Sequence, residues 1–318
     1  MSKVNKEVVN NVVVVGEVVD LLNMREGSCQ NGNNEYFKYT LRLETNPETG
    51  ETIDVEFFSM KYDFNNNIKK QYVCMDKIYN EVATKVQDGK GDVVRALAKL
   101  TSNSYVNKNG EIVNNIVLQG SFMERDKDTK KDKNKFIPGC NIQCLGLIDK
   151  VEKIDEETVK FEVLINEYKS AKSIKGHIVE LYAKGKGAVQ GTSHLEKDML
   201  VPFGVQIVTD VETTFLPEED TELLSTDFAW GSELQRIEEE NERRKKLAEE
   251  GIKKYTTKAV LTGARKPLTD EEIKEQKLPF ETDDIDEMLE LIDEKMENLE
   301  NESARIKAEL IGDDVVPF

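Results

Sequence analysis

Cysteine and histidine are scarce. Four cysteines (Cys29, Cys74, Cys140, Cys144) and two histidines (His177, His194) lie scattered through 318 residues, without the paired spacing of a zinc ribbon or finger. Cys140 and Cys144 share one face of a strand, which invites a metal reading, but buried reduced thiols are the commoner state of such residues. No metal ligand is therefore assigned, and a reducing, cytoplasmic setting is expected. No apolar run approaches a membrane-spanning length, and the first ten residues lack a basic start followed by an apolar stretch, so neither a membrane span nor a leader is expected. Gly185-Lys186-Gly187 lacks the spacing of a phosphate-binding loop. No carboxylate cluster sits beside a His or Lys in the β-rich part of the chain, which leaves a metal-dependent nuclease nothing to build on. The chain is expected to be non-enzymatic and to use no cofactor.

Positive charge is also short overall: 44 Lys+Arg face 62 Asp+Glu, a net charge of -18, unusual for a nucleic-acid binder. Its distribution resolves the difficulty. Residues 1–136 hold 20 of each sign, and residues 137–216 hold 9 basic and 12 acidic groups. Residues 217–318 hold 15 and 30, so the acidity belongs to the last third and a local basic face remains open to the rest.

What is present is β-rich. Val12–Val15 and Val18–Val19 form a β-branched run broken by Gly16, the pattern of a strand that bends or bulges. Residues 35–44 and 51–60 alternate with period two around the turn Thr45–Gly50. From Asn65 to Gln87 the spacing changes to three and four (Ile68, Tyr72, Met75, Ile78, Tyr79, Val82, Val86), which predicts a helix ending at Gly89. Strands return near Val93–Tyr105 and Glu111–Met123, joined by Asn109-Gly110. Three strands, a helix and two strands is the order of an OB-fold barrel, which offers its second and third strands to oligonucleotides.

The expected architecture is mainly β: an OB-fold over 1–125, a charged linker over 126–137, a second β-rich, OB-like unit over 138–266, and an acidic, partly helical tail over 267–318. The second unit reads as strands at Asn141–Lys150, Thr158–Tyr168, Gly176–Lys184 and Pro202–Thr213. No clear helix follows between Lys184 and Met199, Trp230 sits in a loop over 216–230, a highly charged helix covers 232–250, and Tyr255–Thr262 returns as a last strand. In the tail, Ile285, Met288, Leu289, Ile292, Met296 and Leu299 repeat at helical spacing after an N-cap at Thr282. Such a stripe must be buried against the body, a partner or another copy.

The end of the chain, Ile311-Gly312-Asp313-Asp314-Val315-Val316-Pro317-Phe318, resembles the acidic tip of bacterial and phage single-stranded DNA-binding proteins. Residues Gly89–Gly120 are similar to the helix-exit glycines, fourth strand, hairpin and fifth strand of that family. The resemblance implies binding of single-stranded DNA in replication, recombination or repair, with homo-oligomers in view. It also implies recruitment of a helicase, primase, polymerase or recombinase through Asp313, Asp314, Val316, Pro317 and Phe318. Pro317 stiffens the segment, Phe318 offers a ring and a carboxylate, and the aspartates add longer-range attraction. Two β units and a helical tail depart from the family's single barrel and flexible linker, which puts the usual tetramer in doubt. The Lys/Asn/Glu-rich composition points to a phage of a Gram-positive host, acting in the bacterial cytoplasm. The alternative reading is an OB-fold adaptor that binds no DNA and docks on the replisome through the tip.

Period-two alternation selects the residues expected to hold the strand. Phe37, Tyr39, Leu41 and Leu43 share the inner face of the second strand, leaving Tyr36, Lys38, Thr40 and Arg42 outside. Ile53, Val55 and Phe57 point inward on the third strand, with Phe58, Met60 and Tyr62 outside beside Asp54 and Glu56. On the fourth, Val94, Ala96, Ala98 and Leu100 face in while Arg95, Lys99 and Tyr105 face out. Aromatics stack on bases and cations track phosphates, so the expected set is Tyr36, Lys38, Arg42, Phe58, Arg95 and Lys99. Lys175, Lys184 and Lys186 with Tyr168 and Tyr182 are candidates for extending the path, in a unit with no arginine between 137 and 216. A structural or dimerising barrel is the equal alternative there.

Overall fold

The valine run becomes one long strand, β1 (Asn10–Ser28), in the computed structural model of the chain. That structure describes residues 10–28, 34–128, 133–166, 176–214, 235–237, 239–242, 244, 252–276, 278, 280 and 282–312. At Gly16 a Cβ would lie 2.4 Å from the Glu44 carbonyl oxygen, so only glycine lets the crossing strand come this close. The first half of β1 pairs antiparallel with β4 (Val93–Val106) and the second half with β2 (Glu35–Asn46). β2 pairs with β3 (Glu51–Met60), β3 runs parallel to β5 (Ile112–Arg125), and β5 pairs with β4. The ring closes in the order β1-β2-β3-β5-β4, which is that of an OB-fold.

Its interior is the alternating set expected from sequence: Phe37, Tyr39, Leu41, Leu43, Ile53, Val55, Phe57, Val94, Ala96, Ala98 and Leu100 are all buried. Helix α1 (Lys70–Glu81) plugs one end with Met75 and Ile78. Tyr72 and Tyr79 pack their rings on Phe37, and Tyr39 donates from its hydroxyl to the Met75 carbonyl at 3.2 Å.

The second unit repeats the plan. β6 (Gly139–Lys153), β7 (Thr158–Asn166), β8 (Gly176–Lys184), β9 (Leu200–Thr214) and β10 (Ile252–Ala264) lie in the order β6-β7-β8-β10-β9, with β6 also paired to β9 and β8 parallel to β10. The helix not foreseen between Lys184 and Met199 is α2 (Lys186–Gly191). Its six residues are too few for a 3.6-residue period to register.

The barrels share one sheet through β1 and β6, whose residues Asn10–Val15 pair antiparallel with Cys144–Gly139. β4 covers Val12–Glu17 of β1 as β9 covers Ile142–Leu147 of β6. Val12 thus corresponds to Ile142 and Gly16 to Gly146, and Val12 faces Ile142 across the joint. Asn11 faces Gln143 while Val13 faces Asn141, the reciprocal pairing of a two-fold axis. The correspondence extends further: register shifts after Val18 in β1 and after Ile148 in β6, and a Cβ on Gly146 would clash with Val163 as one on Gly16 would with Glu44.

Arg125, buried at the end of β5, binds Glu81 and Asp128. The charged segment after it contains two short 3-10 turns, Asp126–Asp128 and Lys133–Phe136, and Phe136 is buried. At the other end of the chain, α3 (Asp270–Gln276) and α4 (Thr282–Gly312) follow. Met288 of α4 packs with Leu145, Leu164, Leu200, Leu278 and Phe280, and its Cβ sits 2.9 Å from where a side chain on Gly176 would begin. Farther along, the Ser303 hydroxyl donates to the carbonyl of Gly110 in the β4–β5 hairpin. The apolar stripe therefore packs on the body, with Met288 and Leu299 buried and Ile285, Leu289 and Ile292 partly so, and α4 touches both barrels.

The chain divides into two compact units, residues 1–207 with 259–318, and residues 208–258. Both C-terminal helices and both barrels, apart from the end of β9 and the start of β10, fall in the first. The second contains strand residues 208–214 and 252–258 and helical residues among 235–244, where Arg244 and Glu240 form an i,i+4 pair at 3.2 Å. Trp230 and the tip residues Asp313, Asp314, Val316, Pro317 and Phe318 lie outside the described residues. No helix among the described residues is long and apolar enough to cross a membrane.

Candidate nucleic-acid interface

The outer faces of β2 and β3 carry an open aromatic pair. Tyr36 and Phe58 sit diagonally across the two strands, their ring centroids 5.8 Å apart and their planes inclined at 34°. Phe58 is 39% exposed, too much for a core aromatic. Tyr36 reaches this position because the neighbouring residue on β1 is Gly27, where a Cβ would come within 3.0 Å of the ring and hydroxyl. A ring seated flat over a cross-strand glycine covers bare backbone and holds its other face outward. Tyr39 and Phe57, one residue away on each strand, are fully buried.

The cations beside this pair are matched by carboxylates. Arg42 donates from Nε and Nη2 to both oxygens of Asp54 at 2.8 and 2.7 Å, and Lys38 Nζ lies 2.9 Å from Glu56. The Asp54 carboxylate raises the Arg42 pKa still further above its ordinary value. Side-chain exposures of 37–42% for all four groups place these pairs in high dielectric, where one is worth about 0–1 kcal/mol. A phosphate displaces Glu56 from Lys38 at little cost, whereas the bidentate Arg42–Asp54 pair resists more.

Arg95 and Lys99 stand apart from this face. They lie on β4, separated from β2 by β1 and from β3 by β5, so closure of the barrel turns their side chains onto another wall. Arg95 is held there by Glu124 at 2.9 Å. The six residues expected to form one path therefore divide into four on β2–β3 and two elsewhere. Conversely, Met60, which alternation places outward but which is not among the six, joins the face. Met60 stands opposite Tyr36, and beyond it the chain runs through Tyr62 to the fully exposed Phe64. This segment is held by a bridge from Tyr62 to Ile68 and by Asp63 Oδ1, which accepts from the Asn65 and Asn67 amides at 2.8 and 2.9 Å. Continuing the i, i+2 row past the end of β3 to residue 64 marks it in the sequence.

Among the described residues, Cys74, Cys140 and Cys144 are free thiols. Burial pushes the Cys140 and Cys144 thiols up to about 12, which disfavours a free thiolate at either. Among the described residues, no three His, Cys, Asp or Glu side chains converge to hold a metal ion.

One family profile, YorF, matches residues 8–302 and so spans both barrels and most of α4. The chain belongs to the YorF family. Beyond the YorF match, the chain is similar to the solved wild-type single-stranded DNA-binding protein from Thermus aquaticus, at 10% identity and a TM-score of 0.42, covering 82% of this chain and 94% of that one. A deletion mutant of the same protein gives 11% and 0.41, covering 82% and 96%. A replication protein A heterotrimer bound to single-stranded DNA gives 13% and 0.23, covering 62% and 45%. Comparison with curated proteins finds no match. The OB-fold assignment stands on strand order and register.

Proposed function

We propose that this YorF-family chain binds single-stranded DNA, without catalysis, on the outer face of β2 and β3 of its first barrel. The observation that carries this reading is the Tyr36–Phe58 pair, held open between strands by Gly27. Stacking a base on such a ring is worth about 1–3 kcal/mol and is indifferent to sequence, since every base has a π-face. Lys38, opposite Phe58, and Arg42, four residues further along β2, exchange their carboxylates for phosphates as the strand arrives. The C-terminal segment Asp313–Phe318, too acidic to lie on DNA, recruits proteins of replication, recombination or repair through Val316, Pro317 and Phe318.

Fluorescence anisotropy with a labelled oligo-dT and a matched duplex tests the reading. The wild-type chain should prefer the single strand, and Tyr36→Ala with Phe58→Ala should remove most of that preference while leaving the melting temperature close to wild type. Equal affinity for both DNAs would sink it. Removing Val315–Phe318 should leave DNA affinity intact and abolish capture of replication proteins. Partner capture by a wild-type chain that binds no strand favours the adaptor reading instead.

A further inference from the structure

The pseudo-two-fold relation allows the two barrels to be compared position by position. Register fixes the match: Leu43 faces Val18 just before one bulge and Val163 faces Ile148 just before the other. Arg42 then corresponds to Glu162, Thr40 to Lys160 and Lys38 to Thr158. On the third strands Asp54 corresponds to Glu180, Glu56 to Tyr182 and Phe58 to Lys184. β7 begins at Thr158, so the position of Tyr36 falls at Glu156 in the β6–β7 turn and the aromatic pair has no counterpart.

At the positions of Thr40, Arg42 and Asp54 the second barrel carries an ionic network instead. Lys160 Nζ lies 3.0 Å from Glu152, 3.3 Å from Glu162 and 3.6 Å from Glu180, while Lys150 holds Glu162 at 3.5 Å. Tyr182 donates its hydroxyl to Glu180 at 2.6 Å. Three carboxylates crowd a lysine whose side chain is only 16% exposed, and Lys150 offsets them only in part, so a phosphate approaching Lys160 meets net repulsion. In the first barrel Lys38 and Arg42 are each ion-paired to one exposed acid, and Lys38 stands opposite the open ring of Phe58.

We infer that the second barrel has lost the strand-binding face and braces the first, so that DNA contact is confined to one barrel of the two. This rests on the reading given under Proposed function. A chain with one working barrel covers about 4–16 nucleotides, the footprint of a single OB-fold, although it contains two.

The experiment titrates the full-length chain with fluorescein-labelled oligo-dT of increasing length, in three forms: wild type, the double variant Tyr36→Ala/Phe58→Ala, and the double variant Tyr182→Ala/Lys184→Ala. All four residues lie on outer faces, and circular dichroism verifies that each form is folded. The inference expects affinity to stop rising at a single-barrel length. It also expects the second-barrel variant to stay within about twofold of wild type, and the first-barrel variant to lose roughly 5- to 150-fold per stacked base. If the second-barrel variant loses affinity comparably, the inference fails and the first-barrel reading survives. If the wild type binds no strand, or neither variant changes binding, the reading itself fails and takes the inference with it.

Discussion

Gly27 matters because of what it lets Tyr36 do. Any side chain at 27 would meet the ring within about 3 Å, and the cheapest relief is for Tyr36 to swing away from Phe58. Gly27→Val should therefore weaken oligo-dT binding by about tenfold, within the 1–3 kcal/mol of one lost stack, with little change in the melting temperature. Asp54 and Glu56 make the opposite prediction. Because they neutralise Arg42 and Lys38, fewer counterions are displaced when DNA binds. Asp54→Asn should raise affinity at low salt and steepen the plot of log K against log salt by up to about 0.7, as Arg42 then meets its phosphate with no carboxylate beside it. An unchanged slope would show that Arg42 does not meet the strand. Alternation in the sequence exposed Tyr36 and Phe58, since period two assigns faces without knowledge of the fold. It did not show that Arg42 is already taken by Asp54, which depends on the register of the hairpin. Nor did it show that Arg95 stands on another wall, which depends on pairing between strands far apart in sequence.

The same limit operates for whole elements. The stripe along α4 was legible, and Met288 and Leu299 are buried as the spacing requires. Its target was not, because a helical period reports which face is hidden and not what hides it. Met288, fully buried against Leu164 and Phe280, is the test: Met288→Ala should lower the stability by about 2–5 kcal/mol, read as a shift in the urea midpoint. α2 escaped notice for its shortness, and the long central helix reading from Asn65 resolves into α1 followed by a separate turn at Lys85–Asp88, because Val82–Thr84 leave the helix.

At the scale of the molecule, two barrels could be anticipated, but the joint between them could not, since nothing in Val12–Val15 distinguishes a strand paired on one edge from one paired on both. The joint predicts the behaviour of a fragment. Residues 1–136 alone would leave the edge of β1 bare over Asn10–Val15, and an exposed edge seeks another strand. The near-symmetric pairing of Val12 with Ile142 means that a second β1 can take the place of β6. The fragment should elute as a dimer by light scattering, and a monomer at micromolar concentration would contradict this. Main-chain hydrogen bonds make the β1–β6 connection, and they hold whatever residues the outer surface carries. If the second barrel bears no DNA strand, as inferred above, its exterior is free to change without unfastening it from the first.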